Sequence, residues 1–286
     1  MPAQPLHPWF LLTAVLCAEA SGQSPGVPPP LPPPVLFPAG SVPSPAAPAK
    51  TSLAPLSPPS LAPAEPDAAK PGAAQPGPWK HLLEGNTAPG LKGIQKPDFL
   101  SAGWKIRGGT LSLSKEIRES GRKTGGDLVT AEAYENFELS FQWKLDVAGR
   151  SGVMYLVRSS TGTAPAGHLF PLVDDVRHPD GLKGGPVKRT GSLYGVLPPG
   201  ENKRLNDVNW NQGRILVQGN HVEHWINDEP VLSYELGSAE LKKAVLACKE
   251  KLGAFFGTKF KSPIVLLDGG EDIAFRDLKI RQLPFP

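Results

Sequence analysis

Between residues 134 and 147 the odd positions Phe137, Leu139, Phe141, Trp143, Leu145 and Val147 are apolar, while Glu138, Ser140, Gln142, Lys144 and Asp146 between them are polar. A period of two sustained over that length makes a long half-buried strand and excludes an amphipathic helix, whose apolar positions recur every three to four residues. The run 153–157, Val-Met-Tyr-Leu-Val, is apolar on both faces, as a central strand requires. Residues 210–236 read as a three-strand meander with turns at Gly219-Asn220 and Asn227-Asp228, and 264–267 and 273–280 supply two more strands. One helix is predicted after Ser238, which can cap it, with Leu241, Val245 and Cys248 on a single face. Many strands, frequent turn residues and one short helix near the C-terminus predict an all-β sandwich or jelly roll. Gly184-Gly185 and Gly269-Gly270 match neither a phosphate loop nor a dinucleotide fingerprint and read as turns.

The N-terminal part is of another kind. Of 34 prolines, more than half lie between Pro25 and Pro78, almost without aromatic residues. Such a segment buries too little apolar surface to offset the entropy of ordering it. Residues 21–78 are therefore expected to form a disordered, proline-rich tether, and 79–286 the folded domain. The apolar run 9–18, followed by Ala18-Glu19-Ala20, is too short to span a bilayer and has the spacing of a cleavage site. Residues 1–20 read as a signal peptide, which makes the mature chain secreted or periplasmic without a transmembrane anchor. Cleavage after Ala20 would remove Cys17 and leave Cys248 alone, excluding an internal disulfide. The formal charge is +3 with 20% charged residues and no run of five Lys or Arg, so neither nucleic acid nor an anionic membrane is implied as a partner. Lys183, Lys188 and Arg189 make only a loose basic patch.

Taken in order, several segments resemble the 3-keto-disaccharide hydrolase domain family. They are Trp-Lys-Ile-Arg-Gly-Gly-Thr-Leu at 104–111, Leu-Val-Thr at 128–130, Tyr-Glu-Asn-Phe-Glu-Leu at 134–139 and Ser-Gly-Val at 151–153. His-Pro-Asp-Gly at 178–181, Gly-Ser-Leu-Tyr at 191–194, Trp210-Asn211, the run 219–227 and Phe-Arg-Asp-Leu-Lys-Ile at 275–280 continue the series. The resemblance implies a concanavalin-like sandwich with a concave sheet that holds a carbohydrate ligand. It also implies cleavage of a glycosidic bond by elimination and hydration. A ketone at C3 acidifies the proton at C2, a base removes it as the C1 substituent leaves, and water adds to the enone. That chemistry needs a base, a donor to the leaving oxygen and a stabiliser for the enolate.

The resemblance offers Asp174, Asp175 and His178 as base or metal ligand, Tyr194 or His221 as donor, and Arg276 or Arg189 as stabiliser of the negative oxygen. A divalent ion such as Ca²⁺ or Mn²⁺ is the candidate cofactor, with no ligand set fixed. Each residue has a bland alternative: Asp174-Asp175 and His178 as turn-formers, and Arg276 as a paired strand arginine. Strand parity puts Val222, His224 and Ile226 on one face and His221, Glu223 and Trp225 on the other. The first set reads as core, and the second as ligand-facing. The sequence also departs from the family pattern. Leu169 and Pro171 stand where that pattern has a glutamate and a glutamine, Leu267 and Gly269 where it has a glutamine and a histidine, and Arg150 where it has an asparagine. Either catalysis has moved to neighbouring residues or the domain binds a glycan or other cell-surface ligand without turning it over.

Overall fold

The structure, a computed structural model, describes residues 75–94, 103–113, 126–158, 166–207 and 209–286. The leader read in 1–20 and the tether up to residue 74 lie outside the described residues. The alternating segment forms β6 (Phe137–Leu145) of a large antiparallel sheet. The expected meander supplies β9 (Asn211–Gln218), β10 (His221–Ile226) and β11 (Glu229–Glu235) on one side of it. On its other side run β13 (Ile273–Gln282), β4 (Thr110–Leu113) and β3 (Lys105–Arg107), giving the order β11-β10-β9-β6-β13-β4-β3, with β1 (Lys80–His81) pairing β13. The second sheet has the order β2-β5-β12-β7-β8. Its strands are β2 (Leu91–Gly93), β5 (Leu128–Thr130), β12 (Val265–Leu267), β7 (Arg150–Arg158) and β8 (Ala166–Val173). Every pairing among the described strands is antiparallel.

Parity sets what lies between the sheets. Phe137, Leu139, Phe141 and Trp143 of β6 point inward with Ile215, Val217, Val222 and Ile226, and meet Val153, Tyr155, Phe170 and Leu172 of the smaller sheet. Full burial of each large apolar side chain contributes about 1.5–3 kcal/mol. Phe141 sits at the centre, with ring centroids of Trp143, Phe170 and Phe275 at 5.9, 5.9 and 6.3 Å. Its partner across β9 is Gly213, where a Cβ would fall 2.4 Å from the Phe141 ring. A glycine is thus required for the ring to lie across the strand.

β13 carries a bulge. Its register shifts between Arg276 and Lys279, and Asp277 takes the left-handed φ of 48°. Ile273 and Phe275 face inward before the bulge, Leu278 and Ile280 after it. Arg276 and Lys279 therefore both face outward, although three positions separate them. Ser238 caps α2 (Ala239–Ala247) as expected, accepting from Leu241 N at 3.1 Å. The His-Pro-Asp-Gly segment, read as a turn, is instead a one-turn helix, α1 (Pro179–Lys183). Pro179 at its first position fixes φ, and His178 Nδ1 accepts from Asp180 N at 3.0 Å. Five residues are too few for a helical period to show in sequence. Among the described residues no helix is long and apolar enough to cross a membrane.

A buried polar chain joins the sheets. Gly257 N–H donates to His168 Nε2 at 3.0 Å, which leaves the ring proton on Nδ1 to donate to Tyr234 Oη at 2.7 Å. The Tyr234 hydroxyl then donates to Tyr155 Oη, and Tyr155 to His224 Nε2, both at 2.6 Å. His224 Nδ1–H ends the chain on Gly191 O at 3.0 Å. Each proton position follows from the one before, so both imidazoles are neutral. Burial depresses His168 to about 3 and His224 to about 4 from an ordinary 6.5.

Candidate functional site

The segment after β8 is held by its acidic residues. Asp174 accepts from Ala148 N at 2.9 Å, from Val176 N and Arg177 N at 3.1 Å each, and from Arg177 Nη1 at 3.2 Å. Burial pushes its carboxyl up, but these donors outweigh burial and hold it below the usual range. Asp175 accepts from Thr190 N at 2.8 Å and pairs with Lys203. Arg189 Nε donates to Gly181 O at 3.3 Å. A Cβ at Gly181 would come within 2.5 Å of the Asp175 backbone, so only glycine lets α1 lie this close.

This packing brings Asp180 to a cluster of polar groups. Its Oδ2 accepts from Arg150 Nη1 at 3.0 Å and from the Tyr194 hydroxyl at 3.1 Å. Lys188 Nζ lies 5.2 Å from the Tyr194 ring centroid and pairs with Glu250 at 2.7 Å. Tyr194 is set beside β8 by its own N–H, which donates to Leu169 O at 3.0 Å. Burial, and then the Asp180 charge, push the Tyr194 hydroxyl up to about 12, so it stays a donor at neutral pH. Burial, and then Arg150, depress His178. Its Nδ1 already accepts from the backbone, so its remaining proton sits on Nε2.

Beneath the cluster lies the outer face of the smaller sheet. Gly152 pairs with both Pro171 and Leu267, and Met154 with Leu169, so the places where the resemblance expects polar groups are indeed side by side. Leu169, Pro171 and Leu267 put apolar side chains at three of them, beside Met154, and Leu169 and Met154 are buried. At Gly269 a Cβ would stand 1.6 Å from Arg150 O, so this backbone admits no side chain there. Arg150, in the place of the asparagine, reaches from this face to Asp180.

The other predicted residues lie on the outer face of the larger sheet, with roughly 10 Å between the two sheets. Trp225 Nε1 donates to Glu223 at 2.7 Å, and His221 lies between two carboxylates, with Nε2 2.9 Å from Glu223 and Nδ1 2.6 Å from Glu235. The Glu223 and Glu235 hydrogen bonds raise the His221 pKa. Trp225 lines a shallow hollow of about 150 Å³ with Gln212, Arg214 and Asp228. Arg276 Nε donates to Gln142 at 2.7 Å, and its guanidinium lies 4.1 Å from the Trp210 ring centroid.

The structure thus brings Asp174, Asp175, His178, Arg189 and Tyr194 into one region and puts His221, Glu223, Trp225 and Arg276 on the opposite side. Asp180, Arg150, Lys188 and Glu250 were not among the predicted site residues. Asp180 stood within the His-Pro-Asp-Gly segment, and only its tertiary partners distinguish it from a turn aspartate. Among the described residues no three His, Cys, Asp or Glu side chains converge as metal ligands. The donor set present therefore does not fit a divalent ion.

Comparison with known proteins agrees with this fold. The family model of the 3-keto-alpha-glucoside-1,2-lyase-like domain matches residues 78–281. A 3-keto-disaccharide hydrolase of Bacteroides thetaiotaomicron is 28% identical over 225 residues, which cover 71% of this chain and 77% of the relative. Two crystal structures from Parabacteroides distasonis, both named for glycosyl hydrolases, share the architecture. One is 27% identical with a TM-score of 0.63, covering 72% of this chain and 94% of its own. The other is 23% identical with a TM-score of 0.56, covering 72% of this chain and all of its own, 100%. A family match across nearly the whole folded part means that this chain belongs to the 3-keto-alpha-glucoside-1,2-lyase-like domain family.

Proposed function

We propose that this carbohydrate-active domain cleaves 3-keto-glycosides by elimination and hydration at the Arg150–Asp180–Tyr194 cluster. The observation that carries the reading is the state of Asp180. Its Oδ2 is held by two donors, while its Oδ1 has no hydrogen-bond partner among the described residues. Oδ1 can take the C2 proton of a bound 3-keto sugar as the electron pair moves toward the C3 oxygen, and the C1–O bond then breaks. Tyr194, protonated and adjacent, gives its proton to the departing oxygen. Water adds at C1 of the enone and gives its proton to the Tyr194 phenolate, while C2 takes back the proton held by Asp180 and the enolate at C3 returns to the ketone. Arg150 and the Nε2–H of His178 offset the negative charge on the enolate. Asp174 and Asp175 act through the loop they hold, and His178 also fixes α1, which carries Asp180.

A non-catalytic binding module is the second reading, and the apolar floor of Met154, Leu169, Pro171 and Leu267 favours it. Incubating the full chain with a 3-keto-glucoside, with and without Ca²⁺ or Mn²⁺, decides between them. Release of the free sugar above the buffer rate is expected; intact substrate under every condition, with binding retained, would establish the second reading. Export of the chain, secreted or periplasmic, rests on the leader read in residues 1–20. N-terminal sequencing of the exported chain should begin at Ser21, and an intact Met1 would contradict this.

A further inference from the structure

The outer face of the larger sheet gathers charge that is scattered along the chain. On β13 the bulge turns Arg276 and Lys279 outward together, and Arg281 follows them. Lys105 and Arg107 take the outward positions of β3, opposite Ser112 and Thr110. Lys144 of β6 and Arg214 of β9 extend the same face. The carboxylates among these strands are Glu138, which pairs with both Arg214 and Arg281, and the exposed Asp277 at the bulge. Glu223, Glu235 and Asp228 gather at the β10 edge beyond Arg214, so the basic part of the face is that of β3, β6 and β13.

Arg276 is set apart from the others. Its Nε is tied to Gln142 Oε1, its plane rests on Trp210, and no carboxylate pairs with it among the described residues. Such a guanidinium keeps its charge and its terminal N–H groups in a fixed fork, which matches the two oxygens of a planar carboxylate. Trp79, against Lys279 and Arg281, repeats the ring-and-cation arrangement nearby. The described large apolar side chains that are exposed, such as Val176, Leu246 and Phe255, lie outside these strands, so the face offers nothing to insert into a bilayer. The tryptophans carry guanidinium groups on their rings, which disfavours base stacking.

We propose that this face is a second binding surface, for a uronic-acid polysaccharide, with Arg276 as the carboxylate-binding fork. It would hold an anionic polymer on the side of the domain away from the Asp180 cluster. The surface stands apart from the proposed reaction, so its test is a binding measurement.

The test is affinity of the full chain for polygalacturonate, with its methyl-esterified form as the neutral control. Binding to polygalacturonate that weakens with salt is expected, with little to the esterified polymer. Arg276→Lys, which keeps the charge and loses the fork, should weaken binding at least about tenfold. Lys279→Gln should weaken it less, and Lys251→Gln, the same charge loss outside the sheet, should leave it unchanged. Asp180→Asn should also bind normally, so a failed catalytic reading does not pass for a failed surface. Thermal melts of each variant separate lost binding from lost fold. Equal binding of the esterified polymer would overturn the proposal, as would equal effects of Arg276→Lys and Lys251→Gln. So would a preference at equal charge for duplex DNA, a sulfated polysaccharide or anionic phospholipid vesicles.

Discussion

Tyr155→Phe lowers the stability of the folded domain by about 2–5 kcal/mol, because one hydroxyl serves two buried neighbours. It accepts from Tyr234 and donates to His224, both buried, so its removal leaves an O–H without an acceptor and an imidazole nitrogen without a donor. Each unsatisfied group costs about 1–3 kcal/mol, a large share of the roughly 5–15 kcal/mol that keeps a domain folded. The same chain makes the fold sensitive to acid. His168 and His224 hold pKa values of about 3 and about 4 when folded, against 6.5 as the ordinary value, so below pH 6.5 the unfolded chain binds more protons. Stability should fall as pH drops from 6.5 toward 4, with a slope on the order of 1 kcal/mol per pH unit for each histidine. Between pH 6.5 and 5 most carboxylates remain ionised, so that part of the slope is the sum over imidazoles: His168, His224 and the depressed His178 lose stability on acidification, and His221, whose pKa is raised, offsets part of it. Urea melts of wild type and Tyr155→Phe over this range measure both effects. A flat wild-type profile, or a variant within 0.5 kcal/mol of wild type on the scale of a surface change, would mean that the chain is not a stabilising network.

Asp180→Asn should reduce kcat on a 3-keto-glucoside by about 10²–10⁴-fold, the usual contribution of a positioned general base. The change is nearly isosteric. The cap of α1 uses the backbone N–H of residue 180, so it survives, and the amide oxygen can still accept from Arg150 or Tyr194. KM and the melting midpoint should therefore move little while kcat collapses. Steady-state kinetics with release of the free sugar measure this. A variant that keeps kcat within threefold would remove Asp180 from the chemistry.

The large sheet was legible in sequence because its outer face meets solvent. β6, β9 and β10 alternate apolar and polar residues, and that alternation also located His224 inside and Trp225 outside. α1 was not legible, since five residues show no helical period and Pro-Asp-Gly is equally a turn. The Asp180 cluster was hidden for a different reason. Arg150, Asp180, Tyr194 and Glu250 come from three separate stretches of the chain, β7, residues 174–197 and the stretch after α2, and only packing of 174–197 against the other two joins them. The basic face escaped for a third reason. Its cations alternate with inward apolar residues, as in Lys105-Ile106-Arg107 and Lys279-Ile280-Arg281, so no run of like charge forms, and the bulge at Asp277 adds Arg276 to the same side. Gly269 shows a limit of motif comparison: its closeness to Arg150 O is a backbone property that no single position displays.

The most direct test of the central claim is a crystal structure of the Asp180→Asn chain with a 3-keto-glucoside bound. The sugar should lie beside Tyr194 and Arg150, with C2 facing residue 180 and the C1 oxygen within hydrogen-bond reach of the Tyr194 hydroxyl. A sugar seated instead on the Trp225 face, with the Asp180 cluster empty, would contradict it.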